Sequence, residues 1–384
     1  EAVELRDGEA TRYEGKGARR AVANVNEQIA PRLRGTPVTE QARVDETLRE
    51  LDGTPDKSRL GANALLGVSL ACAHAAAAAG NVPLWRYLDK DGSARLPLPM
   101  VNLISGGLHA GGNLDFQDFL MLPIGATSFS EALLMAVHVY RALGSILLQH
   151  GYEGALVGDE GGYGPRLESN EAAIEMILEA VTEAGYTPGT QVALGIDVAS
   201  THFYRAHSYH LNATGGMALM DDDMVDLLRR WVQNYPILSI EDGMAEDDWE
   251  GWRKLTAALG RRVQLIGDDL FATNPDRLRR GIAAKVGNSI LIKLNQIGTL
   301  TETLEVLALA RSAGYRPIIS ARSGETEDTT IADLAVATGA GQIKIGSVTR
   351  SERLAKYNQL LRIEEALGSG ASFATWTDLA NELS

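Results

Sequence analysis

Charged side chains lie at or just after the ends of short apolar runs at several places in the second half of the sequence. They comprise three carboxylates, two lysines and one arginine: Asp197, Glu241, Asp268, Lys293, Lys344 and Arg322. Carboxylates and lysines serve as acids and bases in enzymes, and interacting buried charges are frequent at functional sites. A purely structural role would bury these charges at strand ends without a gain in stability. The pattern therefore favours a catalytic centre.

Lys293 stands near the end of the apolar run from Ser289 to Leu294, which Gly287 and Gly298 flank. The run predicts a short strand that is buried on both faces, as in an all-parallel sheet. Lysine is rarely buried without a partner, so Lys293 is a candidate functional residue. The alternative is that its side chain extends from the strand end to water.

The apolar runs share one arrangement. Each run is short and is followed by a segment with helical periodicity. They cover residues 191–196, 237–240, 263–267, 289–294, 316–320 and 342–343. This alternation predicts parallel strands whose C-terminal ends lie on one face. In a βα barrel that face carries the active site. The sequence therefore predicts an α/β fold with a TIM-type βα barrel, and it places the charged residues at the barrel mouth.

Two glycine-rich segments carry further candidates. The loop from Ser105 to Gly112 contains four glycines and His109, and glycine permits a tight or mobile backbone near a ligand. The turn from Val157 to Gly162 contains Asp159 and Glu160, where one carboxylate can keep the other protonated as a general acid. A simple Asp-containing turn and a surface position for His109 are the competing interpretations.

Asp118 lies between these two segments, in a stretch from Asp115 to Pro123. Polar and apolar residues alternate along this stretch as far as Phe119. The alternation predicts a strand with one buried face.

The remainder of the chain predicts two domains. We predict that residues 1–95 form a smaller, mostly helical N-terminal domain and that residues 96–384 form the barrel domain. The segment 89–99, which contains Gly and Pro, is predicted to be the linker.

Residues 60–86 have the length of a membrane span, but polar side chains interrupt them and alanine contributes little to transfer into lipid. A packed helix of a soluble protein is the favoured interpretation.

The composition limits the partners of the chain. Its 384 residues carry a formal net charge of −14, with a pI near 5.0. This acidity argues against nucleic acid or an anionic membrane as a partner and fits a soluble metabolic enzyme of the cytoplasm. The single cysteine, Cys72, has no partner for an internal disulfide, which suits a reducing compartment. It lies in an alanine-rich segment, where a packing role is expected.

Ordered motifs along essentially the whole chain resemble those of the enolase family. The matching stretches are Leu5–Gly8, Asn63–Leu70, Gly158–Gly162, Ser239–Asp242, Asp268–Leu270, Lys293–Gly298, Arg322–Asp328, Gly341–Lys344 and Arg350–Gln359. The resemblance implies a small α+β N-terminal domain, a modified TIM-type βα barrel and a homodimer. It also implies that a strand and a mobile loop of the family precede Glu1, so we expect the N-terminal domain to be truncated in this chain.

The resemblance implies magnesium-dependent loss of water from 2-phosphoglycerate. Carried over motif by motif, it implies Mg²⁺ ligands at Asp197, Glu241 and Asp268, a base at Lys293, an acid at Glu160, a carboxylate-binding lysine at Lys344, phosphate contacts at Arg322 and Ser323, and substrate-binding residues at His109 and Asp118. Hard cations with oxygen ligands would offset the negative charge that builds up when a proton is removed beside a carboxylate. We expect the cations and Lys344 to lower the pKa of Lys293.

Four residues depart from the family pattern. Ala321 replaces the histidine of a Ser-His-Arg-Ser-Gly-Glu motif, Asp118 replaces the glutamate of Gln-Glu-Phe, Ser105 replaces an asparagine, and His202 replaces a glutamate. The metal ligands and the base are intact, so we expect proton removal to be retained. The changes at Ala321 and Asp118 fall on the acid side of the pocket.

Three functions are compatible with this pattern. The favoured one is a specialised paralogue that performs the same elimination on a related glycerate ester, because a housekeeping enzyme has little reason to lose a catalytic histidine. An example is the enolase-like proteins of phosphonate antibiotic pathways, which make carboxyphosphonoenolpyruvate. The alternatives are ordinary glycolytic enolase and a non-catalytic binding protein on the same fold, and the retained metal and base residues disfavour the last.

Overall fold

The computed structural model describes residues 1–213 and 216–381. Residues 1–95, all described, contain no β-strand. Their α-helices are α1 Arg19–Asn24, α2 Ala30–Leu33, α3 Gln41–Asp52, α4 Ala62–Ala79 and α5 Leu84–Leu88, with a π-helical turn at Val25–Ile29 and a 3-10 turn at Tyr13–Gly15. Gly53 ends α3 in the left-handed conformation, with a φ of 72°, which glycine adopts at low cost. A small apolar core beneath these helices includes Ile29, Leu48, Leu60 and Leu65.

Eight strands close a barrel in the remainder of the chain. In chain order the strands are β1 Leu98–Ser105, β2 Asp118–Leu122, β3 Ala193–Asp197, β4 Tyr204–Arg205, β5 Ser208–Leu211, β6 Met217–Leu219, β7 Ile237–Glu241, β8 Gln264–Gly267, β9 Ser289–Ile292, β10 Arg316–Ser320 and β11 Gln342–Gly346. The barrel order is β1-β11-β10-β9-β8-β7-β3-β2, and β4, β5 and β6 form a separate antiparallel sheet. The fold is thus a TIM-type α/β barrel, as the sequence predicts.

Helices cover the outside of the barrel. They are α6 Phe129–Gln149, α7 Asn170–Glu183, α8 Asp221–Asn234, α9 Trp249–Leu259, α10 Pro275–Ala284, α11 Leu294–Ile297, α12 Leu300–Ser312, α13 Thr330–Ala337, α14 Ser351–Leu367 and α15 Trp376–Asn381. Side-chain caps fix where several of them begin. Ser128, for example, accepts a hydrogen bond from the backbone N of Glu131 at the start of α6.

Each of the six predicted apolar runs overlaps a strand. The predicted run at residue 191 begins two residues before β3, and β11 continues through Lys344 to Gly346 where the apolar run stops at 343. Lys344 therefore lies within a strand rather than after one. A charged side chain at that position is compatible with a strand because it points into the polar mouth of the barrel, as its contacts below show.

Strand β2 runs antiparallel to both of its neighbours, whereas the other barrel pairs are parallel. Its first residue, Asp118, pairs with Ser105 at the end of β1 and with Asp197 at the end of β3. The start of β2 therefore lies at the same mouth as the ends of the other strands. The predicted stretch 115–123 contains β2, but the prediction of one buried face is wrong, because every residue of β2 is buried. A barrel strand packs against side chains on both faces.

The N-terminal helices pack directly on the barrel. Asp45 accepts a hydrogen bond from the backbone N of Thr301 at 2.9 Å, and Ser69 Oγ accepts one from Leu300 N at 3.0 Å. Lys57 forms a buried ion pair with Glu302, with Nζ 2.7 Å from Oε1. These contacts hold the first turn of α12, which follows the strand and helix that carry Lys293.

Helices α4 and α6 are long and apolar enough to pass a length-and-composition test for membrane spans, a test that core helices of soluble proteins also pass. Both carry residues of the apolar cores. On α6 these include Ala132, Ala136, Val139 and Leu143.

Candidate active site

Lys344 connects two of the candidate metal ligands across the barrel mouth. Its Nζ lies 2.8 Å from Asp197 Oδ2, and 2.8 and 2.9 Å from the two carboxylate oxygens of Glu241. All three side chains are buried. Burial opposes the charge of Lys344, but Asp197 and Glu241 raise its pKa well above the usual range. Burial, together with the charge of Asp197, raises the pKa of Glu241 well above its usual range.

Lys293 forms an ion pair with the third candidate ligand. Its Nζ lies 2.5 Å from Asp268 Oδ2, and its side chain is 12% exposed, so it does not extend to water. Burial lowers the pKa of Lys293, and the positive charges of Arg322 and Lys344 also lower it. The charge of Asp268 raises it, and the resulting pKa is raised above its ordinary value. Lys344 therefore lowers the pKa of Lys293, as predicted, but the negative charge of Asp268 raises that pKa by more.

His109 and Asp118 form a further ion pair at the site. His109 Nδ1 lies 2.8 Å from Asp118 Oδ2, and Asp118 Oδ1 accepts hydrogen bonds from Asn102 Nδ2 at 2.5 Å and Ser105 Oγ at 3.1 Å. Burial lowers the pKa of His109, but the charge of Asp118 raises it to about 9. Burial raises the pKa of Asp118 to about 6 against the effect of His109. At neutral pH both partners are therefore charged.

Glu160 lies in a tight turn that is tied to the His109 loop. Gly158 N donates to Gly162 O at 2.8 Å, and Asp159 N donates to His109 O at 3.1 Å. Gly158 has no room for a side chain, since a Cβ there would lie 2.7 Å from His109 O. The Glu160 side chain is buried, and its Oε2 has no hydrogen-bond partner among residues 1–213 and 216–381. Such unsatisfied buried oxygens are uncommon except where a catalytic role or a ligand accounts for them.

Arg322 and Ser323 begin the loop after β10, and a buried arginine holds this loop from below. Arg353 Nη1 donates to Arg322 O at 2.6 Å and to Ile345 O at 3.0 Å, and Arg353 Nη2 donates to Ser323 O at 2.7 Å. The Arg322 side chain is one-third exposed, with Nη1 3.6 Å from Glu1 Oε2. The loop backbone is thus fixed while the Arg322 guanidinium faces the cavity.

A polar cavity of about 290 Å³ brings most of the predicted residues together. Its lining includes eight of the ten predicted site residues: His109, Glu160, Asp197, Asp268, Lys293, Arg322, Ser323 and Lys344. Glu241 and Asp118 do not line it and instead contact Lys344 and His109, which do. Two of the departures from the enolase pattern, Ala321 and His202, also line the cavity.

The buried carboxylates fit a hard divalent cation. Asp197, Glu241 and Asp268 offer only oxygen ligands, which Mg²⁺ prefers. Asp268 Oδ1 is buried without a hydrogen-bond partner in the described part of the chain, so it is available as a ligand. The ligand atoms of Asp242, Asp268 and Asp269 also lie within 4.8 Å of one another.

Several residues of the site are not assigned a role by the sequence. Asn102 and Ser105 hold Asp118, Gln117 donates a 3.2 Å hydrogen bond to Asp197 Oδ2, and Arg353 holds the loop after β10. Asn102 within the apolar run 100–104 is a signal that sequence reasoning could have used, because a buried amide in a strand requires partners.

The comparison with family models agrees with this geometry. The model for the enolase C-terminal TIM barrel domain matches residues 93–381, and the model for the enolase N-terminal domain matches residues 1–88. Together these matches span nearly the whole chain and include the barrel and every predicted site residue. The protein is therefore a member of the enolase family, within a superfamily of lyases.

Proposed function

We propose that this protein removes water from 2-phosphoglycerate or from a close 2-O-phospho- or phosphonoglycerate analogue, giving an enolpyruvate ester. The observation that supports the proposal most strongly is the placement of Lys293 and Glu160 in one polar cavity with Lys344 and Arg322. A base, an acid and two cations around one small cavity suit an anionic substrate that loses a proton and a hydroxyl group.

The chain's own residues divide the reaction into two proton transfers. Lys293, as the neutral amine, takes the proton from the carbon beside the substrate carboxylate. Glu160, in its protonated form, donates a proton to the hydroxyl on the adjacent carbon, so that water leaves as the double bond forms. Lys344 contacts the substrate carboxylate, and Arg322 and Ser323 contact the phosphoryl or phosphonyl group.

The family generally uses Mg²⁺, and Asp197, Glu241 and Asp268 are the residues we propose as its ligands. A bound Mg²⁺ ion would supply positive charge that offsets Asp268 beside Lys293 and the negative charge that develops on the substrate carboxylate. His109, held by Asp118, contributes a further cation beside Glu160.

A specialised paralogue, comparable to the enzymes that make carboxyphosphonoenolpyruvate, is the favoured assignment. Ala321 supports it, because this small residue lines the cavity where the family motif has histidine. The extra space accepts a bulkier substrate, whereas the smaller 2-phosphoglycerate loses orientation. Asp118 does not enlarge the cavity, because Asn102, Ser105 and His109 enclose its carboxylate. Ordinary glycolytic enolase is the alternative.

The enolase family supports a proposal about the assembly of the protein, and the acidic composition supports proposals about its partners and location. We propose a cytoplasmic enzyme that works as a homodimer on a small anionic substrate, without a nucleic-acid or membrane partner. Size-exclusion chromatography with light scattering tests the dimer, and retention on heparin or on anionic vesicles would contradict the proposed absence of those partners.

The decisive experiment compares two substrates with one protein. The purified protein with Mg²⁺ is given 2-phosphoglycerate and, separately, its phosphono analogue, and the enolpyruvate product is followed by phosphorus NMR. We expect turnover of at least one substrate, with the higher kcat/KM for the analogue. Lys293→Ala is the control that removes the base. Absence of turnover on both substrates would favour a non-catalytic protein on the enolase fold.

A further inference from the structure

Asp242 is a buried carboxylate at the end of β7, directly after the proposed ligand Glu241. Its Oδ1 accepts a hydrogen bond from Asp268 N at 3.0 Å, and its Oδ2 accepts one from Asp269 N at 2.7 Å. Both oxygens are therefore bound to the backbone of the turn that carries the ligand Asp268. Two amide donors, one on each oxygen, hold the Asp242 carboxyl group in one orientation.

The backbone of Asp242 is fixed as firmly as its side chain. Its N donates to Ile266 O at 3.0 Å, and its O accepts from Ser200 Oγ at 2.8 Å. Its φ is 42°, in the left-handed region, where a residue with a Cβ is strained and Asp and Asn are tolerated best. Strained residues of this kind persist where the surroundings fix them and cluster at functional sites.

These contacts distinguish the role of Asp242 from that of the proposed cation ligands, although its oxygens lie close to those of Asp268 and Asp269. Each of its oxygens faces a backbone N–H whose positive end points toward it. A cation at the same oxygens would lie beside two N–H dipoles that the backbone holds in place, whereas the Lys344 amine beside Asp197 and Glu241 is carried by a side chain whose torsions can change. Asp268, in contrast, has a buried oxygen without a partner in the described residues.

We infer that Asp242 is a positioning residue that fixes the Asp268 carboxylate for the cation without binding the cation itself. The inference rests on the proposed function, in which Asp197, Glu241 and Asp268 hold Mg²⁺. Asp242 also contacts Ser200, which lies just after β3, the strand that ends at Asp197. Asp242 thus connects this segment to the turn after β8. One residue thus links the backbone near all three proposed ligands.

The test measures Mg²⁺ affinity by isothermal titration calorimetry and thermal stability without Mg²⁺ by circular dichroism. Asp242→Asn keeps the left-handed backbone but places an NH₂ group against one amide. Loss of such a supporting contact costs roughly 10- to 100-fold in metal affinity, and we expect that loss here. Ser200→Ala removes only the 2.8 Å bond to Asp242 O and is expected to weaken Mg²⁺ binding by roughly fivefold, in line with one hydrogen bond. If Asp242→Asn does not fold, the Mg²⁺ affinity of Ser200→Ala still tests the inference.

Asp52→Asn is the matched control. Asp52 is also buried, and its carboxylate accepts backbone hydrogen bonds from Thr54 N at 3.0 Å and Leu60 N at 2.7 Å, but it lies among the N-terminal helices. It is expected to lower thermal stability and to leave Mg²⁺ affinity unchanged. A merely structural Asp242 would behave in the same way.

Two results would overturn the inference. Parent-like Mg²⁺ affinity in folded Asp242→Asn and Ser200→Ala proteins would remove the positioning role. An equal loss of affinity in Asp242→Asn and Asp268→Asn would make Asp242 a ligand. Unchanged affinity in Asp268→Asn would contradict the proposed metal site itself, which distinguishes failure of the premise from failure of the inference.

Discussion

Lys293 Nζ lies 2.5 Å from Asp268 Oδ2, so the proposed base and a proposed metal ligand form one buried ion pair. The charge of Lys293 therefore depends on Asp268. Lys293 acts as a base only when neutral, and Asp268 favours its charged form. A positive charge that offsets Asp268 lowers the pKa of Lys293 and increases the fraction of Lys293 that is neutral and able to accept a proton. Cation binding is therefore coupled to proton removal.

Removal of the cation is expected to abolish turnover. The protein treated with EDTA should be inactive and should recover when Mg²⁺ is added in excess. Asp268→Ala should remain inactive under both conditions, because the cation loses a carboxylate ligand. Steady-state kinetics with and without EDTA checks this, and full activity in EDTA would refute a metal-dependent reaction.

The two proton transfers should be separable by mutation. Lys293→Ala is expected to stop exchange of the substrate α-proton with deuterium from the solvent, as measured by proton NMR. Glu160→Gln should slow elimination roughly 10²- to 10⁴-fold, the usual contribution of one general acid, and leave exchange intact. Exchange at the parent rate in Lys293→Ala would require a different base.

The sequence predicts that the proposed site residues lie at the barrel mouth, because an apolar run followed by a charge marks the C-terminal end of a parallel strand. It does not indicate the direction of β2, since polar and apolar residues look the same in either orientation. Nor does the apolar run before them separate Glu241 from Asp242, a choice that rests on the family motif alone. Only the folded backbone shows that Glu241 contacts Lys344 while Asp242 binds the amides of the next turn.

The ion pair of His109 predicts a pH-dependent contribution to stability. Asp118 raises the pKa of His109 from 6.5 to about 9 in the folded protein. The stabilisation is therefore fully present below pH 6.5 and is lost as the pH rises through about 9, with a size of at most about 3 kcal/mol. Because the folded pKa of Asp118 is raised from 3.8 to about 6, the contribution of this carboxyl to stability is also present at low pH and is lost as the pH rises from 3.8 through about 6, below the range in which His109 titrates.

Urea unfolding of the parent and of His109→Gln measures this effect. We expect the difference between their free energies of unfolding to shrink from pH 6.5 to pH 9. His138→Gln, at an exposed histidine on α6, is the control and should show no such trend. A constant difference across that pH range would mean that His109 is uncharged in the fold.

Arg353 is expected to control the geometry of the loop that carries Arg322 and Ser323. Arg353→Lys keeps the charge but cannot reach the three carbonyls of Arg322, Ser323 and Ile345 together. We expect about 1–3 kcal/mol lower stability from unpaired buried carbonyls, and a raised KM with a smaller change in kcat. Arg362→Lys, exposed on the same helix, is the matched control. An unchanged KM would show that Arg353 has only a structural role.

Ala321 is expected to set the substrate preference. Its backbone N donates to Lys344 O at 2.9 Å, so the residue is fixed at the cavity wall, and its side chain leaves the space that the family motif fills with histidine. We expect the protein to dehydrate 2-phosphoglycerate at least about 100-fold less efficiently than an ordinary enolase, because one acid–base group contributes roughly 10²- to 10⁴-fold.

Ala321→His should recover part of that loss in kcat/KM on 2-phosphoglycerate and reduce turnover of the bulkier analogue. Asp118→Glu alone should recover none, because Asn102, Ser105 and His109 already enclose the Asp118 carboxylate, and an added methylene strains this packing. With Ala321→His in place, Asp118→Glu adds to the recovery only if the enclosing residues adjust. Kinetics of the parent, both single variants and the double variant on each substrate decide the point. If the parent already matches an ordinary enolase on 2-phosphoglycerate, the paralogue assignment fails and both substitutions are neutral for catalysis.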